Sequence, residues 1–375
     1  MLVWVASAVA QAAIESGVAQ QPVEIEEYRE QLWRRLGRSE EIMRVMVNKA
    51  QKAPQRVVFP EGEESKILRA CRILADEGIA SPILVGNEAK IQAMAADLHL
   101  HLDDVRIVEP ACFPRLDAYI DEFYRLRHRK GVTSSEAAET LLHRNIFGSM
   151  MVHMGDADAL IGGLTEPYPD TIGPALQVID VRAGLRRVSG LYVLITAKGE
   201  IYFLADATVN IDPTAEDLAE IAASAAEMAR RFDVEPRVAM LSFSNFGSTR
   251  HPLAEKVRRA TEIVRQRMPG LMVDGEMQAD TAVVPSIINE TYHFSTLKGG
   301  ANVLVFPNLE SGNIAYKLLM RIGGCEAIGP ILMGLSKPVH VLQRGAEVNE
   351  IVNVAAIAVV DAQESKAARS APQNI

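Results

Sequence analysis

The chain has 375 residues, enough for two domains with separate cores, and a globular composition of 48% hydrophobic, 23% charged and 5% aromatic residues. A formal net charge of −9 argues against general nucleic-acid binding, and no apolar run reaches the ~18 residues that a membrane span needs. Cys71, Cys112 and Cys325 are far apart and free of C-x-x-C spacing, so they read as reduced thiols of a cytoplasmic protein, not a disulfide scaffold or a zinc site.

The opening MLVWVASAVAQAA is apolar but has no positive n-region, which argues against a signal peptide. An Ala-rich amphipathic pattern is predicted to end at Gly17 as a helix cap. Arg34, Arg35, Arg38, Arg44, Lys49, Lys52 and Arg56 form a basic run that reads as the solvated face of a helix and linker. The stretch VASAVAQAAIESGVAQQPVEIEEYREQL resembles the closing helix of bacterial malic enzymes, which carry a phosphotransacetylase-like domain behind them. That resemblance implies that residues 1–54 are the end of a malic-enzyme domain plus a helical linker; an ordinary N-terminal extension is the alternative.

From Arg56 onward strands and helices alternate. RVVFP and SPILVG read as buried strands, with ESKILRACRILADEGI and NEAKIQAMAADLHL as the helices after them. The rhythm returns in DADALIGGL, VEPRVAMLSFS, GLMVDGEMQ and ANVLVFPN. Continuous apolar strands between amphipathic helices imply mostly parallel sheets covered on both faces, an α/β fold. In GLYVLITAKGEIYFLAD two β-rich runs flank Lys198-Gly199 as a hairpin and mark a domain change. The expected division is 55–180 with 331–365 as one domain and 181–330 as a second. The closing SKAARSAPQNI is expected to be disordered.

No G-x-G-x-x-G follows a strand and no G-x-x-x-x-G-K-[ST] occurs, so nicotinamide or nucleoside-triphosphate binding by those devices is unsupported. His99 and His101 have no third metal ligand nearby and read as surface histidines. Thr214 has the setting of a helix N-cap. LSFSNFGSTRHPLAEKV is a strand ending in a Ser/Gly turn that feeds a helix. Such a turn suits phosphate groups or is an ordinary cap, and it makes Ser244 a candidate contact.

Several blocks carry a resemblance over roughly residues 55–363: VDGEMQAD, FPNLESGNIAYKLLMR, GPILMGLSKPVHV and IVNVAAIAVV match those of phosphate acetyltransferases. The resemblance implies two αβα domains with mostly parallel sheets, isocitrate/isopropylmalate dehydrogenase-like and of phosphotransacetylase type, with a ligand cleft between them. In that family the loop after VHV carries a Ser-Arg pair and, six residues past the Arg, an Asp that takes the thiol proton of coenzyme A. Here Gln343 stands for the Ser, Arg344 keeps the Arg, and Glu350 replaces the Asp. Gly173 occupies the place of a phosphate-clamping arginine, and Ala207 that of a cysteine near the site. Arg127 falls on a family active-site arginine, while Lys317 and Arg321 share one helix face and either bind ligand, face solvent or pair with Glu310.

Acetyl-CoA or CoA is therefore the expected ligand, with Arg127, Ser244, Asn313, Lys317, Arg321, Gln343 and Arg344 as contacts. The four losses imply a degenerate domain that binds acetyl-CoA as an allosteric, inhibitory and oligomerising module. The alternative is an active phosphate acetyltransferase using Arg127, Arg344 and Glu350. No metal or nicotinamide is expected in this chain, since NADP and a divalent metal belong to the upstream malic-enzyme domain of an NADP-dependent malic enzyme. A homo-oligomer, dimer or larger, is the implied assembly, with no nucleic acid or membrane as partner.

Overall fold

The computed structural model describes residues 2–19, 23–29 and 38–370; Arg34 and Arg35 of the basic run lie outside them. Helix α1 (Leu2–Glu15) gives way to Gly17 at φ +72°, the left-handed cap that the sequence calls for. Helix α2 (Arg38–Lys52) buries Met43, Met46 and Ala50 against the body of the protein. Gln363 Nε2 donates to the carbonyls of Lys49, Ala50 and Ala53 and so satisfies the end of that helix.

The first sheet collects β1 (Gln55–Phe59), β2 (Ala80–Val85), β3 (Arg106–Val108), β4 (Ala159–Gly162) and, from far along the chain, β11 (Val339–Val341). Its order is β11-β4-β1-β2-β3 with every pair parallel. The connecting helices are α3 (Ser65–Asp76), α4 (Glu88–Asp97), α5 (Leu116–Arg127), α6 (Ser134–Thr140) and α7 (Arg144–Met154). After β4 follows α8 (Tyr168–Val178).

The second sheet holds β5 (Ser189–Ile195), β6 (Ile201–Ala205), β7 (Arg237–Leu241), β8 (Met272–Met277), β9 (Val303–Val305) and β10 (Glu326–Met333). Its order is β10-β5-β6-β9-β7-β8, with β10 and β6 antiparallel to β5 and the remainder parallel. The hairpin at Lys198-Gly199 is present, Gly199 turning it at φ +84°. Between the strands lie α9 (Ala215–Arg231), α10 (Pro252–Arg267), α11 (Ala279–Val283), α12 (Pro285–Thr291) and α13 (Leu309–Arg321). The chain ends in α14 (Val348–Ser370).

Strand alternation sorts the side chains into cores. Val57 and Phe59 enter one cluster while Val58 enters another; Ala159 and Ile161 oppose Leu160 in the same way. In the second sheet Val193 and Ile195 oppose Tyr192 and Leu194, and Val303 and Val305 oppose Leu304. One cluster contains inner faces of both sheets together with α9 and α14, so a single apolar core ties the two halves. Helix α9 fits there because its buried face is mostly alanine, and Thr214 with Asp217 caps it as a reciprocal box.

Between the sheets the chain crosses twice, and the crossings pair with each other. Val181 and Leu335 form a bridge, Arg182 N donates to Gly334 O at 2.8 Å, and Ser336 N to Asp180 O at 2.9 Å. The expected division at 330/331 falls inside β10, which pairs with β5 from Glu326 to Met333 and bulges between Ile328 and Ile331. One expectation is corrected. The tail is not irregular from Ser365, because α14 continues to Ser370 and Lys366 Nζ reaches Asp158 at 2.9 Å and Gln55 Oε1 at 2.6 Å. Residues 371–375 lie outside the described part.

Several carboxylates make the fold acid-sensitive. Burial would raise Asp158, but hydrogen bonds from Arg56 and Lys366 outweigh it and hold the carboxyl at about 2. The hydrogen bond from Arg125, helped by a weaker one from His153, outweighs burial and draws Glu122 down to about 2. These folded-state values lie below the unfolded ones, so the stabilisation is complete above about pH 5 and is lost as pH falls toward 2. Urea midpoints measured from pH 5 to pH 2 should fall through that window; a flat profile would contradict these assignments.

Candidate active site

Strand β11 delivers the loop Leu342–Glu347 to the end of β4. Leu342 N donates to Gly162 O at 2.7 Å and Gly345 N to Leu164 O at 3.0 Å, with Gly345 at φ +76° turning the chain. From α3, Lys66 Nζ clasps the same loop through Gly345 O, Ala346 O and the Glu347 carboxylate, the last at 2.8 Å. The backbone is thus fixed, while the Gln343 and Arg344 residues remain exposed. Arg344 has no ion pair or hydrogen bond among the described residues.

Gln343 reaches across to the second sheet, its Nε2 donating to Tyr192 Oη at 2.6 Å. Tyr192 stacks on Tyr316 with ring centroids 4.3 Å apart and planes 18° from parallel. Burial and the nearby Tyr316 push the Tyr192 phenol well above its ordinary range, so it remains a neutral hydroxyl. The Lys317 ammonium stands 5.8 Å from the Tyr316 ring centroid. Asn313, Lys317 and Arg321 follow one another at four-residue steps along α13, so they form a single line on its surface. Asn313 Nδ2 donates to Ala207 O at 3.3 Å. Glu310 pairs with neither Lys317 nor Arg321 among the described residues.

Beneath Asn313 the turn after β6 is held by Asp206, only 2% exposed. Its carboxylate accepts from the backbone N–H of Gly190, Thr208, Val209 and Asn210 and from Asn210 Nδ2. Ala207, which follows it, is fully buried and offers only its backbone. Helix α13 comes close at Gly312, where a Cβ would stand 2.7 Å from Asp206 O.

Gln343, Asn313 and Lys317 therefore gather around the Tyr192–Tyr316 stack, with Arg321 one turn farther along α13. Other expected contacts do not join this group. Ser244 is 0% exposed and its hydroxyl serves its own loop, donating to Glu276 Oε1 at 2.9 Å and accepting from Thr249 N at 3.1 Å. Moreover it follows β7, three strands from β5, which is about 14 Å at the usual strand spacing. Arg127 ends α5 on the first sheet, and its Nε is shielded from solvent without a protein partner. No hydrogen bond or ring contact links it to Gln343 among the described residues.

Glu350 lies in the first turn of α14 and its Oε2 accepts from Glu347 N at 2.7 Å, so its carboxylate caps the helix. Gly173 lies on α8, and a Cβ there would meet no atom within 4 Å, so the place of the missing arginine is open. Two cavities lie away from Gln343. One of about 70 Å³ sits behind the chain crossings beside Arg182, Arg231, Lys337 and Asp361; one of about 10 Å³ lies under Arg187, Asp217 and Glu220. Tyr192, Tyr316 and Asp206 were missed by sequence reasoning, because YVLI and IAYKLL read as ordinary strand and helix patterns. Only the adjacency of Tyr316 to Lys317 carried a hint.

Comparison with known proteins fits this geometry. The profile of the phosphate acetyl/butaryl transferase family matches residues 41–359. The NADP-dependent malic enzyme of Escherichia coli (strain K12) is 42% identical over 370 residues, 97% of this chain and 48% of that protein. The chain thus spans about half the length of the malic enzymes it matches. The phosphate acetyltransferase of Bacillus subtilis (strain 168) is 44% identical over 308 residues, 82% of this chain and 94% of that enzyme. Among solved structures, a phosphotransacetylase from Streptococcus pyogenes superposes with a TM-score of 0.84 at 39% identity, covering 87% of this chain and 99% of that one. The EutD phosphotransacetylase from Staphylococcus aureus gives 0.81 at 35%, over 86% and 98%. By the extent of these matches and the shared architecture, the chain belongs to the phosphate acetyl/butaryl transferase family.

Proposed function

We propose that this chain is the phosphotransacetylase-like part of an NADP-dependent malic enzyme, no longer a working acetyltransferase, and that it binds acetyl-CoA as an inhibitory regulator. The observation that carries this reading is the Gln343–Tyr192 hydrogen bond of 2.6 Å. It engages an amide where the family keeps a small hydroxyl beside the reacting acyl group. Glu350, engaged as a helix cap, and Gly173, which has no side-chain donor, support it from two other sides.

Binding has support of its own. Arg344, Lys317 and Arg321 are exposed cations with no ion pair among the described residues, suited to the phosphates of coenzyme A. Charge-assisted contacts are worth about 1.5–3 kcal/mol each. Arg344→Ala or Lys317→Ala should therefore weaken acetyl-CoA binding by about one to two orders of magnitude in calorimetric titration. Unchanged affinity in both variants would place the ligand elsewhere. Helix α13 presents Ile314 and Leu318, and Ile322 follows just past its end, as an exposed apolar stripe that supports self-association of this half.

Regulation is tested in the intact malic enzyme by following malate oxidation with and without acetyl-CoA. A coupling of about 1–3 kcal/mol gives a 5–150-fold change in affinity, and linkage requires malate-site ligands to alter acetyl-CoA affinity by the same factor. Equal inhibition in an Arg344→Ala background would remove this site from the regulation. A second reading, an active phosphate acetyltransferase using Arg127, Arg344 and Glu350, is favoured by the 44% identity to the Bacillus subtilis enzyme over nearly its full length. Acetyl phosphate formation from acetyl-CoA and phosphate separates the two.

A further inference from the structure

The cavity of about 70 Å³ at the crossings between the sheets shares no lining residue with the Gln343 cleft. Its walls come from four parts of the chain: Arg182 on the first crossing, residues 332–339 on the second, α9 and α14. One ordered water needs roughly 10–15 Å³ of such space, so the volume suits several waters or one small polyatomic ion. Nucleotides and coenzyme A are far too large for it.

The walls are polar and carry unused donors. Arg231 donates through Nε to Glu364 and through Nη1 to Asp361, and the Arg182 side chain donates only through Nη2, to Glu227 at 3.0 Å. Arg231 Nη2 and Arg182 Nε and Nη1 therefore have no partner among the described residues. Ser224 of α9 is only 6% exposed and Ser365 of α14 is half-buried, and neither hydroxyl has a hydrogen bond among the described residues. A buried serine on a helix can return its proton to the carbonyl four residues back, and Ser224 does not.

Of the charged side chains lining the cavity, Arg182, Arg231 and Lys337 are cationic and Glu227 and Asp361 acidic. The further partner of Arg231, Glu364, is 50% exposed and screened by water. Guanidinium edges without acceptors in a partly buried pocket cost free energy, so two of them beside unpartnered hydroxyls call for an anion that accepts from all four groups.

We propose that this cavity binds a small organic monocarboxylate of two or three carbons, held by the N–H groups of Arg182 and Arg231 and by the Ser224 and Ser365 hydroxyls. A planar carboxylate matches a guanidinium fork, and its single charge balances the walls. A phosphate dianion exceeds that balance and meets repulsion from Asp361 and Glu227. Because both crossings border the cavity, the bound carboxylate ties α9 and α14 to the segments that join the two sheets. The site is independent of acetyl-CoA binding at the cleft.

The test is calorimetric titration of the chain with acetate and with lactate at constant ionic strength, with chloride, phosphate and citrate as comparison ions. Acetate or lactate should bind saturably, and citrate, too large for the cavity, should not. Arg182→Gln should weaken carboxylate binding about tenfold or more, and the double change Ser224→Ala with Ser365→Ala by a similar factor. The side chains of the Arg182–Glu227 pair are 41% and 42% exposed, so its loss costs the fold little; the serine variant decides the matter should Arg182→Gln fail to fold. Arg344→Ala should bind both carboxylates as the parent does. Amide hydrogen exchange at residues 332–339 should slow when lactate is present. Chloride as effective as lactate would leave the cavity to water and overturn the proposal. So would phosphate binding more tightly than either carboxylate, parent affinity in the serine variant, a loss of binding in Arg344→Ala, or exchange at 332–339 that lactate does not change.

Discussion

Given acetyl-CoA and phosphate, the chain should form acetyl phosphate at least about 10²–10³-fold more slowly than an ordinary phosphotransacetylase, the usual loss when one preorganised donor is removed. Gln343 Nε2 is 2.6 Å from Tyr192 Oη, and a planar amide on a longer stem cannot place a donor where a serine hydroxyl would be. Glu350 Oε2 is engaged by Glu347 N at 2.7 Å, so a proton acceptor would have to leave a helix cap. Gly173 has no donor beyond its backbone, so an incoming phosphate lacks a clamp. The combined variant Gln343→Ser, Glu350→Asp and Gly173→Arg should recover a measurable part of the rate. The open space at Gly173 admits an arginine, and replacing a helix glycine stabilises α8 by up to about 1 kcal/mol. Full activity from Gln343→Ser alone would show that the missing clamp is unimportant; ordinary turnover by the parent would restore the enzyme reading.

The second large effect is on stability. Arg231 of α9 pairs with Asp361 and with Glu364 of α14, the latter at 2.6 Å, and the Arg231 and Asp361 side chains are only 17% and 10% exposed. Asp361 also faces the fully buried His340 of β11, whose Nε2 lies 3.2 Å away. Burial would raise the Asp361 carboxyl, but Arg231, then His340 and Arg182, outweigh it and hold it low. Arg231→Ala leaves that carboxylate without its main counter-charge and should destabilise the fold by about 3–5 kcal/mol. The double variant Arg231→Met with Asp361→Leu removes both charges and should regain most of that loss. Urea unfolding of the three proteins decides it. A small effect of the single change would mean that water, His340 or Arg182 takes over as partner of the carboxylate.

A good part of the fold could be read from local pattern. The apolar runs at 55–59, 80–85, 159–162 and 237–241 became strands, and the hairpin at Lys198-Gly199 turns where glycine permits positive φ. Thr214 caps its helix because a side-chain acceptor beside an acidic first turn suits a helix start in any context. The loop Leu342–Glu350 was legible for another reason: its flanking blocks resemble a family in which the same positions act.

What each side chain does there was decided only by the tertiary structure. The order β11-β4-β1-β2-β3 sets a strand from near the end of the chain at the sheet edge beside β4, and that placement brings Gln343 to the end of β4 and across to Tyr192. Ser244 looked like a ligand contact because a Ser/Gly turn before a helix suits phosphate, yet sheet order puts it three strands from Tyr192 and burial turns its hydroxyl onto Glu276. Glu350 kept a carboxylate in sequence but lost its freedom to a backbone N–H three residues away. Hydrophobic period and turn chemistry act within a few residues, so the sequence by itself determined the elements, the α/β class and the family. Which polar groups meet, and which remain without partners, depends on register between strands distant in the chain, and only the assembled sheets determine that.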